Sequence, residues 1–380
     1  MESLDLSMGF WQDKRVLVTG HTGFKGSWLC EVLLGEGALV SGLALPPQDT
    51  PALFDQLGLG SRMDHALVDL RDAAAVMRRV AEVAPEVVFH LGAQSLVQRS
   101  YRQPVETWST NVLGTVHVME AVRALARPVA VVVVTTDKVY ENREWVHAYR
   151  ETDRLGGHDP YSASKAATEI AVESWRKSFG GAGLYLATAR AGNVIGGGDW
   201  AENRILPDLA RAFAAGEPLS VRNPASTRPF QHVLEPLAGY MTLAERLMTG
   251  DPRWQSAFNF GSEPGDLMSV QDLVMAAIEA WPGTWLDASY PAAPHEAARL
   301  SLTIDKARHD LGWTPQWNIA RGLAETIRWY REVHEGADPA TLTRAQIAAH
   351  NASQTAGHAT RQSAGASHDA GQRPAPKAGQ

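Results

Sequence analysis

The stretch Arg15-Val16-Leu17-Val18-Thr19-Gly20-His21-Thr22-Gly23-Phe24-Lys25-Gly26 decides the fold. A short apolar run ends in glycines at a G-x-x-G-x-x-G spacing, and a helical pattern follows over 26–34, stopped by Gly35 and Gly37. The spacing predicts a strand, a tight turn and a helix. Gly20 permits the turn, Gly23 lets backbone N–H groups approach a pyrophosphate, and Gly26 lets the helix pack on the strand. The helix N-terminus then faces the anion. Gly20, His21, Gly23, Phe24, Lys25 and Gly26 are therefore candidate cofactor contacts.

Outward from this loop the first half of the chain alternates. Strands are expected over 15–19, 39–45, 66–70, 87–91, 129–135 and 184–190. Helices are expected over 73–83, 107–126 and 162–179. Alternation of this kind implies an α/β fold: a Rossmann-type, doubly wound parallel sheet covered on both faces. It fills residues 1–190, with a later segment near 230–260 returning to it. Residues 191–345, where Pro, Gly and Trp are frequent, read as a smaller mixed α/β substrate domain. From 346 to 380 the chain is rich in Ala, Gly, Ser, Gln and His, and Ile347 is its only large aliphatic residue. Such a segment buries too little apolar surface to offset the entropy of ordering it, so a disordered tail is expected.

Composition narrows the function. The single cysteine, Cys30, excludes an internal disulfide, and no Cys/His spacing reads as a zinc site, so no metal is expected. The net charge of −7 argues against a nucleic-acid partner. The start of the chain lacks the apolar core of a signal peptide, and no apolar run is long enough to span a bilayer. A soluble cytoplasmic protein with no membrane partner is the expectation.

The second expected strand ends Leu43-Ala44-Leu45-Pro46-Pro47, with neither an acid nor an arginine at its tip. The usual discriminator between NAD and NADP is therefore silent. Asp69 and Leu70 close the third strand and Leu91 the fourth, where each could reach a dinucleotide. Asp69 reads equally as a turn residue.

Tyr161-Ser162-Ala163-Ser164-Lys165 sets a tyrosine and a lysine on one helix face. A neighbouring ammonium lowers a phenol from its ordinary value of about 10, which suits proton transfer with a sugar oxygen. Thr135-Thr136-Asp137-Lys138 ends the fifth strand, at the edge where open α/β sheets bind ligands. Thr136 could bond the same oxygen as Tyr161, and Asp137 and Lys138 add an acid and a potential base.

With these residues in order, the chain resembles the extended short-chain dehydrogenase/reductases that act on nucleotide sugars, over about residues 10–335. Within them it is most similar to the 4,6-dehydratases of CDP-glucose. The likeness is carried by Gly20–Leu29, Thr136–Asn142, Arg190–Trp200, Arg228–Leu237 and Pro294-His295-Glu296-Ala297. The resemblance implies NAD as cofactor, CDP-glucose as substrate, deoxysugar synthesis of the kind that feeds lipopolysaccharide O-antigen, and a homodimer or dimer of dimers. It implies Thr136, Asp137, Lys138, Tyr161 and Lys165 as catalytic residues, with Tyr161 and Lys165 also at the cofactor. It implies Gln94, Ser95, Asn193, Arg204, Arg228 and Arg299 at the substrate. Sister dehydratases carry a glutamate where Lys138 stands, so the base at C5 is Lys138 or, failing that, Glu141. A 4-epimerase would keep Thr136, Tyr161 and Lys165 without needing an acid at 137. A non-catalytic cofactor sensor could dispense with the Tyr/Lys pair.

Overall fold

A computed structural model describes residues 9–181, 183–263, 265–289 and 300–369, with side chains described as far as 355. Val129–Val134, here β5, shows why the sheet lies where it does: its six residues, five of them valine, are buried throughout. β-branched side chains suit a pleated strand, and burial on both faces is the mark of a parallel sheet. Around β5 lie β1 (Arg15–Thr19), β2 (Leu39–Ala44), β3 (Asp64–Leu67), β4 (Val87–His90), β6 (Leu184–Ala191) and β7 (Ala257–Phe260). Their order is β7-β6-β5-β4-β1-β2-β3, and every pairing is parallel.

Helices cover both faces. Trp28 and Leu29 of α1 (Phe24–Gly35) share one core with Val16 and Val18. Val76 and Val80 of α2 (Ala73–Val83), Val118 and Val122 of α3 (Gly114–Arg123) and Val172 of α4 (Pro160–Phe179) pack with Leu17, Val88 and Val131 in the other. After β6 the chain forms short two-stranded ladders: Val194–Ile195 with Gln231–His232, Thr227–Arg228 with Met268–Ser269, and Leu219–Val221 with Trp285–Asp287. It returns to the sheet through α5 (Leu234–Leu247), which joins the α1-side core, and then β7.

Three expectations are corrected. The helix expected unbroken over 107–126 contains a π-helical turn, Ser109–Leu113, ahead of α3. The turn directs Asn111 inward, where its side chain bonds both backbone groups of Gln94 and the Ser164 hydroxyl. The third strand ends at Leu67, so Asp69 lies in the following turn, and Asp72 caps α2 by accepting from Ala75 N at 2.9 Å. The tail expected to be disordered from 346 is helical as far as Asp369, within α7 (Pro339–Asp369). Beside a few apolar contacts such as Ile347, its anchors are polar, which is why composition hid them. Gln346 and His350 are buried, and His350 Nε2 lies 2.9 Å from Glu235 Oε1 on α5. Arg344 Nε donates to Glu31 on α1 at 2.8 Å, and Trp329 Nε1, on α6 (Ile319–His334), donates to Thr343 at 3.1 Å. Residues 370–380 lie outside the described residues.

Glu235 is fully buried and also accepts from Gln316 N and Trp317 N, each at 2.8 Å. Truncating it strands these donors in the core. Glu235→Ala should lower unfolding free energy by about 3 kcal/mol or more, measured by urea denaturation.

Candidate active site

The phosphate loop is built by close backbone contacts. Gly20 has φ +73°, and a side chain there would meet the Gly92 backbone at 2.8 Å. A Cβ on Gly26 would stand 2.2 Å from the Gly20 carbonyl oxygen. Gly23 caps α1 with no side-chain acceptor on the first-turn amides, and that turn carries no acid. An anion-sized acceptor is what such an end lacks. The loop opens into a cavity of about 630 Å³ across the carboxyl edge of the sheet. Asp69, Leu70 and Leu91 line it toward one side, Tyr161 and Lys165 toward the other. A dinucleotide fits this cradle.

His21 does not belong to the cradle. It is fully buried beneath the loop, against Gly42 of β2 and the rings of Phe54 and His65, at 5.3 and 5.4 Å. Burial, with His65 beside it, pushes the imidazole down to about 4, so it is a neutral core group. Asp69 keeps a wall position, but its carboxylate is held by Arg71, at 2.6 Å to one guanidinium nitrogen and 2.9 Å to the amide.

The catalytic group assembles from two elements. Asp159 caps α4, accepting from Ser162 N at 2.9 Å, and Pro160 pre-sets the first turn. This fixes Tyr161 at the helix mouth and Lys165 one turn deeper. Where β5 ends, Thr136 caps a short 3₁₀ turn, Asp137–Val139. Its hydroxyl donates to Asp137 Oδ1 at 2.9 Å and also hydrogen-bonds Tyr161. Thr136, Asp137, Lys138, Tyr161 and Lys165 all line the cavity.

Burial sets the electrostatics. It raises the Asp137 carboxyl against the opposing pull of Lys138, Thr136 and Arg228, which favours the protonated acid. It raises the Tyr161 phenol to about 12, with the Thr136 hydrogen bond and the Arg204 charge working the other way. The lowered phenol expected from the Tyr/Lys spacing is thus corrected: desolvation outweighs the charges around it. The Lys165 ammonium donates to the Val134 carbonyl at 3.0 Å, and burial brings it down to about 8. Lys25 points into the same group, and burial, Arg204 and Lys165 lower it to about 7. Glu141, the other candidate base, is turned outward, with its carboxylate 3.0 Å from Arg154 Nε.

Of the expected substrate contacts, Ser95, Asn193, Arg204 and Arg228 line the cavity. Arg204 is held by Asp199 at 2.9 Å. Gln94 also borders it, but its side chain is committed to Leu96 and Thr107, so it shapes the loop instead of reaching out. Arg299 and His295 lie outside the described residues. His232 is a core residue packed on Trp28 and Trp317, and burial with His350 nearby lowers it to about 3. Sequence reading missed Asn111, which ties the Gln94 loop to α4. Its one signal was that it is the lone amide side chain in the helical run 107–126.

A model of the family described as GDP-mannose 4,6 dehydratase matches residues 17–255. The chain belongs to this family. Among relatives, it is 44% identical to a CDP-glucose 4,6-dehydratase of Salmonella typhimurium, over 90% of this chain and 97% of that one. Among solved structures, a dTDP-glucose 4,6-dehydratase of Streptomyces venezuelae with NAD and TYD bound is similar at a TM-score of 0.73 and 24% identity. That match covers 86% of this chain and 99% of the other. A Thermus thermophilus UDP-glucose 4-epimerase in complex with NAD matches at 0.70 and 26%, covering 83% and 98%.

Gly26→Ala should push the loop off the helix end. The expected result is at least a tenfold loss of dinucleotide affinity, about 1.4 kcal/mol, with an unchanged far-ultraviolet dichroism spectrum, measured by calorimetric titration.

Proposed function

We propose that the protein is a hydro-lyase that converts CDP-glucose to CDP-4-keto-6-deoxyglucose and water, with NAD as cofactor. The observation that carries dehydration over epimerisation is Asp137: a buried carboxyl, biased toward its acid form, bonded to the threonine that also meets Tyr161. CDP-glucose rests on the similarity to the Salmonella protein, and NAD on the cradle and on the NAD-bound structures of similar fold.

NAD, when bound, supplies the site that takes a hydride from sugar C4 and returns it to C6. Tyr161 takes the proton of the 4-hydroxyl, and Thr136 orients that oxygen. Burial raises the Tyr161 phenol, and positive charge beside it, such as the nicotinamide ring of bound NAD would bring, works in the opposite direction and favours the phenolate. The resulting 4-ketone makes the C5 hydrogen acidic. Lys138, on the cavity wall, removes it, while Asp137 donates a proton to the departing 6-hydroxyl; Lys138 then gives a proton back to C5 as C6 takes up the hydride. Asn193, Arg204 and Arg228 offer the hydrogen bonds and positive charge that a diphosphate needs.

The molecule assembles as a homodimer in this reading, in the cytoplasm. Val105 and Ile170 are 81% and 61% exposed on neighbouring helical segments, with Tyr101, Trp108 and Leu113 also exposed. Pairing these segments across two copies would bury them. Among the described residues no helix is long and apolar enough to cross a membrane.

Incubation with CDP-, UDP-, GDP- and dTDP-glucose, with NAD or NADP, tests the reading. The expected outcome is a product eighteen mass units lighter from CDP-glucose with NAD, roughly one lost water by its chemistry. Turnover of another nucleotide sugar in preference, or an isobaric epimer, overturns it. Lys138→Ala should keep C4 oxidation yet lose solvent deuterium incorporation at C5. Asp137→Asn should lower kcat by about 10²–10⁴-fold, read in the same assay.

A further inference from the structure

Glu169 has no part in the steps above, yet it lies one turn beyond Lys165 on α4 and is buried. Residues four apart share a helix face. Its Oε1 accepts from the Thr135 hydroxyl at 2.5 Å, where β5 ends. Its Oε2 accepts from Thr188 at 2.7 Å and from Arg190 Nη2 at 2.8 Å, both on β6. Arg190 in turn donates to the Tyr140 hydroxyl at 2.8 Å. The carboxylate thus joins the helix that carries Tyr161 and Lys165 to the strand end that carries Thr136 and Asp137.

The charges facing Lys165 make Glu169 stand apart. They are Glu169 on α4, Lys25 on α1 and His90 on β4, while Tyr161 and Asp137 line the same cavity. Burial, with Lys165 beside it, lowers His90 to about 3, so it is neutral. Burial raises Asp137 toward its neutral acid. Burial also works to raise Glu169, but Arg190 and the two hydroxyls outweigh it and hold the carboxyl below its ordinary range. Among the described residues, Glu169 is the charged group whose attraction opposes the desolvation of Lys165, beside the hydrogen bond to the Val134 carbonyl.

We propose that Glu169 is a positioning residue: held by Arg190 one helical turn from Lys165, it favours the Lys165 ammonium, and it is the strut that holds the Tyr161–Lys165 helix against the end of β5. The proposal deepens the reading above and rests on Lys165 facing the bound dinucleotide. With Glu169 neutralised, Lys165 releases its proton at a lower pH. Dinucleotide affinity that depends on the ammonium is full below the Lys165 pKa and is lost as pH rises through it.

The test is calorimetric titration with NAD from about pH 6 to about pH 9.5, without sugar nucleotide, on the unaltered protein, Glu169→Gln and Thr135→Val. The unaltered affinity should fall through about pH 8, with the Glu169→Gln midpoint lower by about one unit or more, a tenfold weaker affinity between the two midpoints. Thr135→Val, which keeps the charge, should keep the unaltered midpoint. A folded Glu169→Gln that melts earlier but titrates with the unaltered midpoint makes the role merely structural and overturns the proposal. If the unpaired Arg190 prevents Glu169→Gln from folding, Glu169→Gln/Arg190→Gln removes both buried charges and is judged by the same midpoint. The rate of reductive methylation at Lys165 in the unaltered protein, followed by mass spectrometry, gives its titration directly. A midpoint below about 7 overturns the proposal too. Failure of NAD to bind the unaltered protein would count against the proposed function, while the methylation midpoint would still judge Glu169.

Discussion

Every strand of the central sheet runs the same way, and the site follows from that constraint. Parallel strands must be joined by crossovers, which here are helices, so all seven carboxyl ends gather along one edge. The phosphate loop leaves β1 at that edge, the Thr136–Asp137 turn leaves β5, and the Asn193 region follows β6. Residues more than a hundred positions apart share one cavity because the topology leaves them no other place. Asp159 then adds the local precision: by setting where α4 begins, it sets which faces of Tyr161 and Lys165 meet that edge.

Burial governs the chemistry of the cavity. It moves the acid Asp137 up and the amines Lys25 and Lys165 down, so each is drawn toward its neutral form near physiological pH. A shift toward the neutral form lowers the cost of proton transfers of the kind a sugar reaction requires. The net charge of −7 gives no hint of this. Basic groups for an anionic ligand, Lys25, Lys165, Arg204 and Arg228, stand around one space that the sum over the chain does not describe.

What was legible in the sequence was what is local. The phosphate loop, the Tyr161/Lys165 spacing and the Thr136-Asp137-Lys138 turn each lie within a few residues, and short-range geometry fixes them. What was illegible depends on partners far along the chain. His21 sits in a glycine-rich loop like a ligand contact, but the space beneath it, opened by Gly42 on the next strand, takes the ring inward. Gln94 reads as a polar loop residue free to bind, until Thr107 and Asn111 claim it. The segment beyond 346 is low in apolar residues, and its helix is held by Glu31, Glu235 and Glu325 from three earlier helices. No composition rule registers an anchor whose other half is 115 residues away.

That last contact has a bearing on the order in which the molecule is made. The hydrogen bonds of the Glu235 carboxylate come from Gln316, Trp317 and His350, all synthesised after it. While the ribosome is still adding the later helices, the sheet and α5 can gather, but α5 carries a carboxylate with its eventual donors not yet emerged. A bare carboxylate resists burial, so α5 is fully accommodated in the core only once the segment at Gln316–Trp317, and then His350 of α7, bring its donors. The half of the protein that begins at residue 15 is thus completed by the chain's far end, and N-terminal-first folding, the usual course on the ribosome, can be only provisional here.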